Sequence, residues 1–294
     1  MEILGIPIQA FMGQLLLGLV NGSFYAMLSL GLAVIFGLLG IVNFAHGALY
    51  MMGAYVAWLG AEYAGIGFWW SLLLAPLVVG AIGVVIERTL LKHLYKIDPI
   101  YGLLLTFGLA LIAEGVFRDQ FGVSGQQYPV PELLQGATNL GFMILPNYRG
   151  FVIFASLLVC LATWFVIERT RLGSYLRAGT ENPALVQAFG VNVPMMVMLT
   201  YGAGAGLAAL AGVLAAPIIQ ITPLMGSNLI IVVFAVVVIG GMGSILGSIL
   251  TGLVLGLVEG LTKVFYPEAS SIVVFVIMAI VLMIRPAGLF GKEK

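Results

Sequence analysis

The sequence contains little charge. Only 8% of its 294 residues are Asp, Glu, Lys or Arg, while 62% are hydrophobic. An ordinary soluble domain is about a quarter charged. A soluble chain of this length could not cover so much apolar surface, so the composition excludes an ordinary water-soluble domain. Acidic and basic residues balance to a formal net charge of zero, which argues against a nucleic-acid partner.

Residues that carry chemistry are equally scarce. The chain has two histidines, His46 and His93, and one cysteine, Cys160, which lies in an apolar run and suits a packing role. It has no GxxxxGK[ST] phosphate loop, no His/Cys spacing of a metal site and no GxSxG nucleophile motif. We therefore predict that this chain is not an enzyme and holds neither a metal nor a cofactor.

Carboxylates are missing from the middle of the apolar runs. Glu114 with Arg118, and Glu259 with Lys263, are spaced i,i+4 near the ends of such runs, where each pair can neutralise its charges. Ion-coupled carriers usually place ionisable residues within the membrane. Their scarcity favours a transport protein whose energy comes from a partner.

Long apolar stretches recur along the whole chain. A bilayer core about 30 Å thick is crossed by roughly 20 helical residues, and backbone groups in lipid must be paired internally. We predict an all-α, polytopic transmembrane helical bundle that forms a single transmembrane domain over residues 1–294, with about nine crossings (eight to ten). The predicted crossings are residues 10–40, 47–62, 68–88, 99–118, 150–168, 195–217, 228–240, 248–262 and 271–286. The first is too long for one straight span and could contain a break near Asn21-Gly22, and the seventh is too short to span unaided.

The basic residues predict an orientation, because cytoplasmic segments carry an excess of Lys and Arg. With the N-terminus outside, nine basic residues lie inside and three lie outside. The inside set is Arg88, Lys92, Lys96, Arg169, Arg171, Arg177, Arg285, Lys292 and Lys294, and the outside set is Arg118, Arg149 and Lys263. The prediction is therefore an outside N-terminus and a cytoplasmic C-terminus.

Two patterns are relevant to how the helices are built and packed. Residues 85–89 and 166–170 share the letters VIERT at the end of a predicted span, which either marks an internal repeat or reflects chance. The glycines of the eighth crossing, Gly252, Gly256 and Gly260, lie four apart on one helix face. Small residues at that spacing let helix backbones approach closely in lipid. Packing within this chain is favoured over a subunit interface.

Polar residues near the end of the first crossing are candidates for a substrate path or gate. Asn43 and His46 lie between Gly40 and Gly47 and need polar partners at that depth. They either line a non-helical break in the path or cap a tight turn between helices. The full candidate set is Asn21, Ser23, Tyr25, Asn43, Phe44, His46 and Gly47, although for the first three, contacts between helices are the favoured explanation.

Two loops are candidates for docking. In the predicted cytoplasmic loop 169–194, Thr180 or Asn182 can cap a short helix that starts at Pro183 and stops at Gly190. A helix of two turns is not stable alone, so its apolar stripe must be buried against this chain, lipid or another protein. The docking set is Glu181, Asn182, Pro183, Ala184, Leu185, Ala188, Phe189 and Gly190. The predicted outer loop 119–149 either docks an external protein or covers the bundle.

Several motifs resemble one family. They begin with residues 21–22 (NG), 25–26 (YA) and 36–37 (FG) and continue through residues 43–47 (NFAHG) and 53–55 (GAY). Residues 177–183 (RAGTENP), 188–191 (AFGV), 240–244 (GGMGS) and 285–291 (RPAGLFG) complete the set. Together they span nearly the whole chain and resemble permeases of the LivH type, which belong to the ABC importers of branched-chain amino acids.

The resemblance implies a bacterial inner-membrane importer with five parts. The implied partners are a second homologous permease, two cytoplasmic ATPases, a periplasmic substrate-binding protein and the lipid bilayer. It also implies that helix 183–190 is the coupling helix that seats in an ATPase. The alternative is a stand-alone channel or ion-coupled secondary carrier for a small polar solute such as an amide or urea.

Overall fold

The computed structural model describes residues 2–3, 6–40, 42–95, 97–141 and 143–291. Lys96, Lys292 and Lys294, which entered the charge count above, lie outside the described residues. Within that part of the chain the structure is all-α apart from two short antiparallel hairpins, so the predicted all-α class is confirmed.

Eleven α-helices are present in the described ranges. They are α1 (Ile8–Leu39), α2 (Ala45–Ala64), α3 (Phe68–Thr89), α4 (Pro99–Phe121), α5 (Asn147–Arg169), α6 (Arg171–Glu181), α7 (Pro183–Ala188), α8 (Val193–Ala215), α9 (Met225–Gly240), α10 (Ile245–Phe265) and α11 (Val273–Ile284). The hairpins pair β1 (Glu2–Ile3) with β2 (Ile6–Pro7), and β3 (Ala137–Asn139) with β4 (Ile144–Pro146).

Six of these helices, α1, α3, α4, α5, α8 and α10, are long and apolar enough to cross a membrane. α9 and α11 are apolar but shorter. Each of the nine predicted crossings overlaps one helix among α1–α5 and α8–α11. The length and apolar character of these helices are those of a multi-pass membrane protein.

α1 corrects one expectation. It is a single helix of 32 residues that continues through Asn21-Gly22, so the suggested break at that point was wrong. Gly22 instead lies against the backbone of Leu253 on α10, where a side chain would not fit, which explains the glycine without any interruption of the helix. The helix ends at Gly40, whose φ of 65° lies in the left-handed region that favours glycine.

The chain divides into two compact units. Unit 1 contains Met1–Ser29, Pro129–Cys160 and Val232–Lys294, and unit 2 contains Leu30–Tyr128 and Leu161–Ile231. α1, α5 and α9 each contribute residues to both units.

Unit 1 is built on the contact between the first part of α1 and α10. The glycines Gly252, Gly256 and Gly260 face α1, and a Cβ on Gly260 would lie 2.6 Å from the carbonyl oxygen of Gln14. A hydrogen bond joins the same two helices, because the Tyr25 hydroxyl donates to a Glu259 carboxylate oxygen at 2.6 Å. Close backbone approach and this partly buried bond fix the register of α1 on α10.

Lys263 forms the predicted ion pair with Glu259, at 2.5 Å. The other predicted pair is absent: among the described residues, Glu114 and Arg118 form no ion pair. Arg118 is exposed while Glu114 is 7% exposed, so the two side chains differ in their surroundings although their spacing would allow contact.

Unit 2 is built around α2, α3 and α8. Gly53 of α2 lies against the backbone of Ala209 on α8, and Gly212 of α8 lies against the backbone of Tyr50 on α2. Gly80 of α3 approaches Gly202 of α8, with a Cβ at either position 3.1 Å from the carbonyl oxygen of the other. Three helices can pack this closely because small residues occupy the contacts.

Candidate functional site

The turn between α1 and α2 is fastened to α4. The backbone N–H of Phe44 donates to the Thr106 hydroxyl oxygen at 3.2 Å, and that hydroxyl also lies 3.2 Å from the Val42 carbonyl oxygen. The His46 N–H donates to the Asn43 carbonyl at 3.3 Å, and α2 begins at Ala45. Residues 42–44 thus lead as a short turn into α2, with His46 and Gly47 in the first turn of that helix. Sequence analysis missed Thr106, because it lies 62 residues from Phe44.

Asn43 and His46 are both buried in unit 2. Their exposed fractions are 1% and 0%. The His46 imidazole fills the space beside Gly31 of α1, since a Cβ on Gly31 would lie 2.9 Å from His46 Cε1. The neighbouring Gly47 lies against the backbone of Gly226 at the start of α9.

The buried polar atoms near this turn are not all satisfied. Within the part of the chain that the structure describes, the Asn43 amide and the Tyr201 hydroxyl lie close enough to interact with each other, and neither has any other hydrogen-bond partner. Tyr201 of α8 lies near Asn43 and is fully buried. Buried polar groups in proteins almost always have a partner. The Tyr201 hydroxyl can satisfy only part of the Asn43 amide, so this place can accept a water or the polar part of a solute.

Glu87 is a buried carboxylate close to the same cluster. It is 4% exposed at the end of α3 and accepts a hydrogen bond of 2.8 Å from the Tyr95 hydroxyl. Tyr95 is 37% exposed, and partial burial, followed by the bond to Glu87, raises its pKa above the ordinary value of 10.0. In the sequence, Glu87 stands out only as part of the VIERT segment, residues 85–89. Nothing in the sequence showed that this glutamate is buried.

The two VIERT copies have similar local structure and different glutamate partners. Each copy lies at the end of a long helix, and the Thr89 and Thr170 hydroxyls each donate to the carbonyl four residues earlier. The second glutamate, Glu168, is exposed and pairs with Arg177 at 3.2 Å. The two VIERT copies therefore end their helices in the same way, but the two glutamates lie in different environments.

The remaining path candidates belong to unit 1. The Ser23 hydroxyl donates to the Leu19 carbonyl at 2.8 Å, and Tyr25 contacts α10 as described above. Asn21 is half-buried on the same helix. The structure thus places Asn21, Ser23 and Tyr25 in one unit, and Asn43, Phe44, His46 and Gly47 in the other.

α7 has the caps that its sequence predicts. The Asn182 side-chain oxygen accepts a hydrogen bond from the Leu185 N–H at 3.0 Å, and Pro183 occupies the first turn. Gly190 has a φ of 84° just beyond the helix. Of the two proposed capping residues, Asn182 is the one that caps, and Thr180 donates to the Arg177 carbonyl instead.

One side of α7 holds it to the chain and the other is exposed. Val186 is 8% exposed and faces inward, while Leu185 is 54% and Phe189 is 80% exposed. Ala184 and Ala188 are exposed as well, and Glu181 is the last residue of α6. The predicted apolar stripe is therefore not buried against this chain.

The predicted outer loop, residues 119–149, has a packed part and an exposed part. Gln126 pairs with Ile221, and the buried Tyr128 ring lies 6.4 Å from that of Phe68. The second part, which contains a short 3-10 turn (Glu132–Leu134) and the β3–β4 hairpin, is largely exposed, with Leu133 at 82%. The first part covers its own helices, and the second offers a free surface.

Comparison with known proteins decides the family. Residues 14–282 match the family described as "Branched-chain amino acid transport system / permease component". The chain belongs to this family. It is 29% identical to the high-affinity branched-chain amino acid transport system permease protein LivH of Escherichia coli (strain K12), across 97% of this chain and 96% of LivH.

Two further relatives are informative. BraD of Pseudomonas aeruginosa, named a permease protein of the same kind of system, is 30% identical across 97% of both chains. LivM of E. coli (strain K12), also named a permease protein of such a system, is 27% identical across 92% of this chain and 68% of LivM. No solved structure matches the chain.

Proposed function

We propose that this chain is the transmembrane permease subunit of an ATP-driven importer that carries branched-chain or related amino acids across the bacterial inner membrane. The family match over residues 14–282 and the printed names of LivH and BraD support the transport role and the substrate class. The observation that carries the ATP-driven mechanism is the exposed apolar face of α7. ATP hydrolysis takes place in other subunits.

The proposed assembly has five parts. A second, homologous permease pairs with this chain, an idea supported by the similarity to both LivH and LivM. Two cytoplasmic ATPases bind beneath the pair, and α7 with its flanking residues Glu181, Asn182 and Gly190 seats in one of them. A periplasmic binding protein delivers the solute to the exposed part of the outer loop.

The proposed topology has about nine crossings, an outside N-terminus and a cytoplasmic C-terminus, with residues 1–294 working as a single permease domain. The excess of basic residues on the proposed inner side supports this orientation. It places α6 and α7 in the cytoplasm and the β3–β4 hairpin outside.

The proposed path uses the polar groups at the α1–α2 turn. Asn43, Phe44, His46 and Gly47 form the gate, and Asn21, Ser23 and Tyr25 line the path on α1. The buried Asn43 amide, which the Tyr201 hydroxyl can satisfy only in part, supports this role, because a passing solute or water can pair with it. ATP-driven movement of α7 opens the path to the outside, and hydrolysis resets it.

The test of the coupling role replaces two exposed apolar residues of the α7 segment by charge. We expect Leu185→Asp with Phe189→Asp to abolish co-purification of the ATPases, because charged groups cannot fill an apolar groove. Membrane insertion should be unchanged, since both side chains are exposed in this chain. Leu133→Asp, an exposed leucine on the outer loop, is the control and should leave co-purification intact.

ATPases that remain bound to the double variant as they do to the unaltered chain would refute the coupling role. The rival function, an ion-coupled carrier or channel, makes a different prediction: leucine uptake would survive ATP depletion while ion gradients persist. We expect uptake to stop when ATP is depleted.

A further inference from the structure

A long apolar groove of about 600 Å³ lies within unit 2, between α3, α5, α6 and α8. Its wall includes Gly80 and Val84 of α3, Val166 of α5, Leu172 and Leu176 of α6, and Gly202 of α8. Among the described residues that line it, only Thr163 and Thr200 have polar side chains, and the Thr200 hydroxyl donates to the Met196 carbonyl at 2.8 Å. The groove therefore suits a hydrocarbon and offers little to a polar solute.

The groove opens outward from unit 2. Leu77, Val166 and Leu199 on its edges are 71%, 44% and 51% exposed. They belong to α3, α5 and α8, each of which is long and apolar enough to cross a membrane. An apolar depression on the exposed side of such helices lies within reach of lipid chains.

One end of the groove is basic. α3 runs antiparallel to α8, since Pro76 lies opposite Gly206 and Gly80 opposite Gly202. The end of α3 therefore lies at the start of α8, where Gly179 of α6 also packs against Val193. At this end Arg88 follows the lining residue Val84 by about one helical turn.

Two more arginines of the same end lie on α5 and α6. Arg169 is three residues beyond the lining residue Val166, and Arg171 precedes the lining residue Leu172. Arg88, Arg169 and Arg171 form no ion pair within the described residues, whereas Arg177 is paired with Glu168. Glu181 is at the far end of α6, about 15 Å along the helix axis from Arg171.

The start of α6 adds a second attraction for an anion. Thr170, the residue before α6, makes no side-chain cap, and its hydroxyl donates to the Val166 carbonyl. The N–H groups of the first turn are thus left for an anion, which the helix dipole also favours. The Arg169 guanidinium carbon lies 5.6 Å from the centre of the Trp164 ring, and aromatic residues of this kind are common at the membrane interface.

We propose that this groove binds an anionic phospholipid. An acyl chain lies along α3, α5 and α8, and the phosphate lies between Arg169, Arg171 and the first turn of α6. Leu172 joins the two parts, because it lines the groove and belongs to that same turn. A helix of another subunit fits less well, since it would bury these arginines without a partner. Basic pockets between transmembrane helices bind anionic headgroups in this way.

The test uses the full chain together with the subunits that purify with it. This protein is placed in nanodiscs that contain phosphatidylglycerol and phosphatidylethanolamine in equal amounts. Native mass spectrometry then counts the retained lipids. We expect phosphatidylglycerol to be enriched, and Arg169→Gln with Arg171→Gln to reduce that enrichment about 30-fold, at about 1 kcal/mol for each arginine. Ala81→Phe, which fills the groove, should release both lipids.

Matched controls lie elsewhere on the chain. Arg118→Gln with Arg149→Gln removes two arginines that do not belong to the basic end, and Ala279→Phe enlarges an exposed alanine of α11. Neither should change the retained lipid. The proposal fails if phosphatidylglycerol is not enriched, if these controls lose lipid equally, or if inorganic phosphate displaces the lipid completely. It also fails if Ala81→Phe retains lipid and instead loses a protein subunit.

Discussion

At the scale of single residues, His46 is the clearest test of the gate. It is completely buried, and its imidazole fills the space that Gly31 leaves empty. We expect His46→Ala to reduce leucine uptake about tenfold while the assembled complex still purifies, because a buried polar group is lost and a cavity remains. Radiolabelled uptake in cells measures this effect.

The second histidine provides the control. His93 is exposed in the 3-10 turn after α3, so His93→Ala should transport at the rate of the unaltered chain. Normal uptake by the His46→Ala variant would show that His46 has a structural role near the turn and no role in the gate.

Tyr95 and Glu87 predict a dependence of stability on pH. Because the pKa of Tyr95 is raised in the folded protein, its contribution to stability is complete below pH 10.0 and is lost as the pH rises through the folded pKa. We expect Tyr95→Phe to lower the free energy of unfolding by about 1 kcal/mol at neutral pH, because Glu87 loses its hydrogen bond. The variant should then lose less stability than the unaltered chain above pH 10.

Thermal unfolding in detergent between pH 7 and 11 measures both effects. Tyr101→Phe, on an exposed tyrosine of α4, serves as the matched control and should follow the unaltered chain. Identical pH profiles for Tyr95→Phe and the unaltered chain would show that the Glu87–Tyr95 bond has no role in stability.

At the scale of helices, the glycine row of α10 predicts a cost for any larger residue. A Cβ on Gly256 would meet the backbone of Gly18 and Gly22 on α1. We expect Gly256→Leu to lower the melting temperature strongly, at a cost of about 1–3 kcal/mol or more from overpacking. Gly256→Ala should show a smaller loss in the same direction, which keeps the prediction measurable if the leucine variant does not fold.

Gly115→Leu is the matched control for that row. Gly115 lies in α4, and nothing lies within 4 Å of a Cβ added there. This variant should melt close to the unaltered chain. Equal losses at positions 115 and 256 would mean that glycine content, and not the α1–α10 contact, determines the stability.

Much of the helical layout follows from the sequence, and the contacts around the site do not. Apolar run length predicts each long helix, and Asn182 with Gly190 predicts where α7 begins and ends, because these signals are local. Thr106 and Tyr201 were not predicted. Their roles depend on helices that meet from distant parts of the chain. The expected break at Asn21-Gly22 failed for the same reason, because the glycine serves a contact with α10.

At the scale of the whole molecule, the topology can be tested with introduced cysteines. The single native cysteine, Cys160, is completely buried, so it should give little background labelling. We expect Thr138→Cys, in the outer hairpin, to react with a membrane-impermeant maleimide in spheroplasts. Gln187→Cys, on α7, should react only after the membrane is opened, because α7 is proposed to lie in the cytoplasm.

Labelling of Gln187→Cys in intact spheroplasts would contradict the proposed orientation. It would place α7 on the outer side of the membrane, where a cytoplasmic ATPase could not bind it. A chain without either added cysteine reports the background.

The junction between α5 and α6 bears on how movement can spread through the molecule. A Cβ at Gly173 would overlap the carbonyl oxygen of Ile167, so these two backbones are in direct contact across the corner that Thr170 forms. Close-packed backbone has little room to bend. A displacement imposed on α7 should therefore pass through α6 into the adjoining end of α5. A more flexible junction between these helices would bend and would not transmit the displacement.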